Sequence, residues 1–314
     1  MSGTHGVIYK RLIGRARLRH LELLVAVVDQ GAVKRAAEQV GMSQPAATQA
    51  IAELERLLGV TLFERQARGM KLSNAGQLLM PTVRRALAAL EASLEAMLAV
   101  QAGASGLLRV GTIPAAAVSM AGNALRILSH RHPSLQIVVQ EGTPTRLLEE
   151  LTSGGLDAVL TRQPTRLCER FRFVRLGTDE AIVIAGPGHP LATRARVKFD
   201  DLLNYPWLRP PANVRVRDLF DELFETRPLP PMHPVATTSP TVILQVLADN
   251  RTVVLGPASA ATWYIQLGLA VQLKLDARFP IPGLGVVYPA SAVNEPVTAA
   301  LLDALRDATV GNGG

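Results

Sequence analysis

A chain of 314 residues is long enough for roughly two domains and a sizeable core. With 48% apolar and 19% charged residues and a mean hydropathy of +0.20, it is neither a disordered polyelectrolyte nor a collagen-like or low-complexity chain. The formal charge of +7 is concentrated at the amino end, where residues 1–76 hold 11 Lys/Arg against 6 Asp/Glu, which points to a polyanionic partner.

Behind the basic stretch Met1–Arg19, the apolar run Leu21–Val28 contains Glu22 and leads to no small-residue cleavage pattern, so no signal peptide is read. Leu21, Leu24, Val25 and Val28 recur at three and four, which predicts a helix over Leu18–Asp29 ending at Gly31. A short Ala-rich helix over Ala32–Val40 follows, and Gly41 supplies the positive φ for a sharp turn out of it. Ser43 then caps a third helix, with Pro45 in its first turn, that runs through Ile51, Leu54 and Leu58 to Gly59. Two short helices about a Gly turn make a helix-turn-helix, whose second helix offers its first residues to base edges in the major groove. Ser43, Gln44, Pro45, Thr48 and Gln49 form that outward face; Gln pairs bidentately with adenine, and Ser and Thr donate or accept. Leu62–Arg65 and Arg68–Leu72 read as a hairpin with basic residues at its tip, a wing whose Arg65 and Arg68 meet phosphate or the minor groove.

This run, with Ala36-Ala37, Ser43-Gln44-Pro45-Ala46, Leu54-Glu55, Leu58-Gly59, Leu62-Phe63-Glu64-Arg65 and Leu72-Ser73-Asn74-Ala75-Gly76, resembles the winged helix-turn-helix of LysR-type bacterial transcriptional regulators. It departs from the family at Gln49, where many members carry Arg. From Asn74 to about Gln101, Met80, Val83, Leu87, Leu90, Leu94 and Met97 alternate at three and four, a coiled-coil seam with Val83, Leu87, Leu90, Leu94 and Met97 as its dimerisation residues. Pro81 is expected to kink this helix, its straight part beginning there. The resemblance implies the same element, a linker helix that pairs antiparallel and carries two winged domains.

Beyond the small-residue break Gly103–Gly106, strands and helices alternate: strand Leu107–Ile113, helix Val118–His130, strand Leu135–Glu141, helix Thr145–Ser153, strand Leu156–Thr161. A second group holds the strand Glu180–Ala185, Trp207, the helix Val214–Glu225, the strand Val235–Thr238, the helix Thr241–Asp249 and the strand Val253–Leu255. The chain then returns through Gly285–Tyr288 to a last helix Val297–Thr309. The expected class is α/β with an all-α amino terminus and a largely parallel sheet. Its domains are a winged helix-turn-helix over 18–76, a linker helix over 77–103 and a two-lobed domain over 104–314. Lobe I takes about 104–179 and 274–314 and lobe II about 180–273, an arrangement similar to the family's periplasmic-binding-protein-like effector domain.

In such sheets ligands sit at strand carboxyl ends and helix amino termini. That rule selects Thr112, Pro114, Thr143 and Arg162 in one lobe and Arg209, Thr238 and Ser239 in the other, a set suited to a small carboxylate or sulfonate. The segment Thr252–Leu273 carries no charge, but Gly256-Pro257, Ser259, Thr262, Gln266, Gly268 and Gln272 break it into pieces too short for a membrane span. Cys168 is the one cysteine, so neither an intrachain disulfide nor a Cys-rich zinc site forms, and a cytoplasmic location is expected. His130 and His132 read as a solvated helix end, and no cofactor motif occurs. The expected function is promoter binding modulated by a small anion, without catalysis; the alternatives are a solute-binding protein or an enzyme on the same two lobes. Expected partners are double-stranded DNA, the effector, further copies of the chain as dimer or tetramer, and RNA polymerase, with no membrane.

Overall fold

The computed structural model describes residues 16–66, 69–212 and 214–310. Its contacts form two compact units, one reaching to Leu98 and including Thr152–Gly155, the other holding Ala99–Leu151 and the chain from Leu156.

The first unit opens with α1 (Leu18–Gln30), α2 (Val33–Gln39) and α3 (Gln44–Leu58), followed by the antiparallel hairpin β1 (Phe63–Gln66) and β2 (Gly69–Leu72) and the long helix α4 (Asn74–Gln101). Leu23, Leu24 and Val27 of α1 pack on Ala36 and Ala37 of α2 and on Ala47, Ala50, Ile51 and Leu54 of α3. The alanines matter because short helices gain enough burial only when their backbones approach closely. Gly31 and Gly41 take φ of 65° and 63°, ending α1 and turning the chain between α2 and α3. The helix α4 is one continuous element on both sides of Pro81. Its first turns belong to this core: Met80 is 7% and Val83 4% exposed. Val83 is therefore a core residue and not part of a free seam, and Leu87 packs at the edge of the same core. Farther along, Leu90, Leu94 and Met97 are 41%, 54% and 60% exposed.

The second unit holds two sheets. In the first lobe the strand order is β4 (Leu135–Glu141), β3 (Gly106–Thr112), β5 (Ala158–Arg162), β12 (Leu284–Pro289), β6 (Phe171–Arg175). β3 is parallel to β4 and β5, while β12 runs antiparallel to β5 and β6. After β3, α5 (Pro114–Ala116) leads through a π-helical turn (Ala117–Ala121) into α6 (Gly122–Arg131), and α7 (Pro144–Ser153) follows β4. In the second lobe β7 (Asp179–Ala185) pairs antiparallel with β9 (Val253–Pro257), β10 (Val271–Leu273) and β11 (Phe279–Ile281), and only β8 (Trp207–Leu208) is parallel to its neighbour β9. The expected parallel pairing thus holds among β3, β4 and β5 and for the short β8–β9 pair, and the remaining pairs are antiparallel. Lobe II also extends to Ile281, so the chain returns to lobe I at Pro282-Gly283 and not near residue 274.

The short helices α8 (Phe199–Leu202), α9 (Arg215–Phe224), α10 (Pro240–Leu247) and α11 (Ala258–Gln266) flank the second sheet, and α12 (Pro296–Val310) closes the chain on lobe I. Trp207 is fully buried among Phe199, Phe220 and Phe224, with its indole N–H donating to the Leu202 carbonyl at 3.0 Å. Residues 235–238 are irregular and not a strand. The Val235 N–H donates to His233 Nδ1 at 3.2 Å and the Ser239 N–H to Thr237 Oγ1 at 2.9 Å, so side chains and not a neighbouring strand take up the donors at the ends of the segment. The uncharged stretch Thr252–Leu273 is divided among β9, α11 and β10, and among the described residues no helix is long and apolar enough to cross a membrane.

Candidate nucleic-acid interface and effector site

The exposed half of α3 is built on a buried half. Ala47, Ala50, Ile51 and Leu54 face the core, which turns Gln44, Pro45, Thr48, Gln49 and Ala52 outward around a shallow open concavity. Ser43 caps the helix, its Oγ accepting from the Ala46 N–H at 3.4 Å. Thr48 Oγ1 donates to the Gln44 carbonyl at 3.0 Å, leaving its lone pairs and methyl group outward. The two Gln amides are exposed and can each present a donor and an acceptor to a base edge. Arg65 is placed by its backbone in β1, and Arg68 lies outside the described residues.

Several residues that support this face carry no motif of their own. Arg19, part of the basic run in sequence, donates from Nε and Nη2 to the Val40 carbonyl at 2.9 and 2.7 Å, and from Nη2 also to that of Gly41. It thereby holds the turn ahead of α3. Arg35 similarly donates to the Gln30 carbonyl at the end of α1. In sequence Arg19 is one arginine among several in the basic run, and nothing local links it to carbonyls 21 and 22 residues on that need a donor.

At the other unit the structure brings Thr112, Pro114, Thr143 and Arg162 to one sheet edge. Thr112 and Glu141 are register partners across β3 and β4, the Gly142 N–H donates to the Thr112 carbonyl, and Ile113 N–H donates to Leu160 of β5. Thr112 is 1% exposed and its hydroxyl donates to the neighbouring Ile113 carbonyl, so it is structural as well as close to the edge. Thr143 precedes Pro144 at the start of α7 and is exposed. In the second lobe Ser239 is the amino-terminal cap position of α10, its own N–H held by Thr237 Oγ1 at 2.9 Å, with Thr238 exposed beside it.

Both arginines are already engaged. Arg209 pairs with Asp221 at 3.1 Å on the surface, where Arg217 also holds that carboxylate at 2.7 Å. Arg162 is 11% exposed and donates from Nη2 to Asp179 Oδ2 at 2.8 Å and from Nη1 to the Pro282 carbonyl at 2.6 Å. Asp179, only 2% exposed, accepts in addition from the Glu180 and Ser259 N–H groups and from Ser259 Oγ. This node joins the end of β5, the start of β7, the start of α11 and the return at Pro282, where the chain passes between lobes. The two lobes also meet where Val118 of the π-helical turn packs on a cluster including Leu208, Leu247 and Tyr264. Burial, with the Glu141 carboxylate, pushes the Tyr264 phenol up to about 12, so its hydroxyl stays a neutral donor. Asp179, Ser259 and Tyr264 carry no local motif, because their partners are distant in the chain.

Elsewhere, His130 Nδ1 lies 2.7 Å from the Arg126 carbonyl, and among the described residues no His/Cys/Asp/Glu group could hold a metal ion. His189 is buried against Tyr205; burial lowers its pKa below 6.5, against the pull of the Arg251 backbone and Asp249.

The sequence model of the lysR-family bacterial regulatory helix-turn-helix matches residues 18–77, and that of the LysR substrate binding domain matches residues 101–310. The chain belongs to the LysR family of bacterial transcriptional regulators. The regulator is 31% identical over 301 residues to the HTH-type transcriptional regulator GbpR of Azospirillum brasilense, covering 95% of this chain and 88% of that one. It is 33% identical to PcaQ of Agrobacterium fabrum over 198 residues, 62% of this chain and 63% of the relative. Among solved structures, the LysR family regulator CbnR superposes with a TM-score of 0.66 at 20% identity, covering 93% of this chain and 99% of that one. A Corynebacterium glutamicum OxyR mutant superposes at 0.55 with 25% identity, covering 95% and 92%. A sequence-specific DNA-binding domain and an effector-binding domain are thus combined in this regulator.

Proposed function

We propose that the regulator binds an interrupted inverted repeat in promoter DNA as a dimer or a dimer of dimers in the bacterial cytoplasm. Each recognition helix α3 enters a major groove, and each wing lies on the flanking backbone or minor groove. The observation that carries this is the exposed Gln44, Thr48 and Gln49 face on a fully buried Ala/Ile/Leu underside. That CbnR has been crystallised with its target DNA supports the same use of the fold. The exposed Leu90, Leu94 and Met97 of α4 are the proposed contact with a second copy, and RNA polymerase is a proposed partner at the promoter. No catalytic step is involved.

The proposed test compares an operator enriched from random duplexes with unrelated DNA. Gln44→Ala or Gln49→Ala should cost about 1–3 kcal/mol on the operator and leave binding to unrelated DNA nearly unchanged. Equal losses on both duplexes would remove α3 as the reading element.

The proposed effector is a small carboxylate or sulfonate at the junction of the lobes, received by the amino termini of α7 and α10 with the Thr143, Thr238 and Ser239 hydroxyls. Because Asp179 and Asp221 occupy the forks of Arg162 and Arg209, hydroxyls and helix N–H groups carry recognition, not a free guanidinium. Binding alters promoter affinity only if the ligand prefers one lobe arrangement over another. Calorimetric titration with anionic and neutral metabolites should return an anion, with Thr143→Val losing the response but keeping operator binding. A neutral best ligand bound normally by Thr143→Val would place the site elsewhere.

A further inference from the structure

Glu55 is an acidic side chain on the recognition helix of a DNA-binding domain, where a carboxylate facing phosphate would repel it. It faces the wing. Glu55 Oε1 accepts from the Leu62 N–H at 2.7 Å and from the Phe63 N–H at 3.2 Å, while its main-chain carbonyl accepts from Gly59 and Val60. The five residues that leave α3 and enter β1 are therefore wrapped around one residue. Leu62 and Phe63 are 1% and 6% exposed, so water has little access to replace that acceptor.

A second fastening lies at the far end of the hairpin. The Met70 N–H donates to the Gly31 carbonyl at 3.1 Å, and Gly69 lies so close that a Cβ there would sit 2.5 Å from the same oxygen. Gly69 also has a φ of 127°, outside the range that side-chain-bearing residues readily adopt. The hairpin is thus pinned to α3 at its base and to the end of α1 near its tip. A two-stranded hairpin is marginal by itself in water, so its orientation is owed to these contacts.

We propose that Glu55 is a positioning residue that locks the wing to the recognition helix, so that the wing's cations reach phosphate at the moment α3 enters the groove. The inference rests on the DNA-binding reading above. Lys71, exposed on β2, supplies charge on the described part of the hairpin; Glu55 supplies the geometry.

The test uses the full-length chain and a duplex that the wild type has enriched from a random library, with affinity measured across a salt series. Each phosphate contact contributes about 0.9 to the slope of log K against log salt. Glu55→Ala should bind at least about tenfold more weakly near 0.15 M salt, with a slope lower by about one or more per subunit. Glu55→Gln keeps an acceptor oxygen for both N–H groups and should retain the wild-type slope. A merely unstable domain lowers the active fraction without changing the slope, which separates the two causes. Gly69→Ala, which disturbs the other fastening, should lower the slope likewise and serves if Glu55→Ala does not fold. An unchanged slope in folded Glu55→Ala, or in Gly69→Ala when only that variant folds, overturns the inference. So does Glu55→Gln behaving like Glu55→Ala, since charge and not the anchored bonds would then be at work. Failure of the wild type to enrich any duplex would remove the DNA-binding reading and this inference together, an outcome distinct from wild-type binding with an unaffected variant.

Discussion

Asp179→Ala is expected to destabilise the carboxy-terminal unit by about 3–5 kcal/mol, the range for breaking a buried ion pair on one side. The cause is local. Removing the carboxylate leaves the Arg162 guanidinium, itself 11% exposed, without its counter-charge, and strips the Ser259 hydroxyl and the Ser259 and Glu180 N–H groups of their acceptor. A surface pair such as Arg209 with Asp221 serves as the contrast, because both partners are nearly half exposed and removing one should cost about 1 kcal/mol or less. Both tryptophans, Trp207 and Trp263, lie in the second lobe, so denaturant unfolding followed by their fluorescence reports on this unit without the winged domain. A loss below about 1 kcal/mol for Asp179→Ala would show that the node does not hold the lobes' connections together.

Leu94→Glu is expected to convert the proposed oligomer to a monomer while leaving each chain folded. Leu94 is 54% exposed in the single chain, so the new carboxylate remains hydrated there; between two paired helices it would lose that hydration with no partner. Val83→Glu is the informative contrast. Val83 is 4% exposed in the core of the winged domain, and a charge at that position should unfold the domain and not merely separate subunits. Sedimentation with a circular dichroism melt distinguishes the outcomes, and a Leu94→Glu chain that sediments as the wild type would exclude this stretch of α4 as the subunit contact.

The contrast between Val83 and Leu94 also shows where sequence reasoning works. Gly41, Ser43 and Pro45 act through backbone chemistry that is local, so the turn and the start of α3 were legible from the residues themselves. The heptad spacing that located α4 was equally legible, but apolar residues at three and four look alike whether they meet the same chain or another. Only the packing of Met80 and Val83 on α1 and α3 separates them. The strand edges at Thr112, Thr143 and Arg162 followed from alternation of strand and helix, whereas the engagement of Arg162 depends on Asp179, 17 residues away and in the other lobe. The tendency of Val235–Thr238 toward strand lost to local side-chain bonds, because His233 Nδ1 holds the Val235 N–H and Thr237 Oγ1 the Ser239 N–H. The antiparallel pairing of lobe II was hidden because β10 and β11 are three residues each, too short for a clear alternation.

Ser73 ties the end of the wing to the start of α4: its N–H donates to the Leu62 carbonyl, its Oγ donates to that of Thr61, and the same Oγ accepts from the Gly76 N–H at 3.1 Å. Arg84 reaches back to Asp29 of α1 at 2.6 Å, and Met80 and Val83 fill the space between. The helix therefore has no swivel where it leaves the winged domain, and the two move as a single arm. At 1.5 Å per residue, Asn74–Gln101 gives that arm a length of about 42 Å. A tilt of about 5° at its far end displaces the near end by about 4 Å, close to the 3.4 Å step between neighbouring base pairs. Angular adjustments too small to repack a helix interface would thus change, by about one base pair, which half-site spacing a pair of such arms can span.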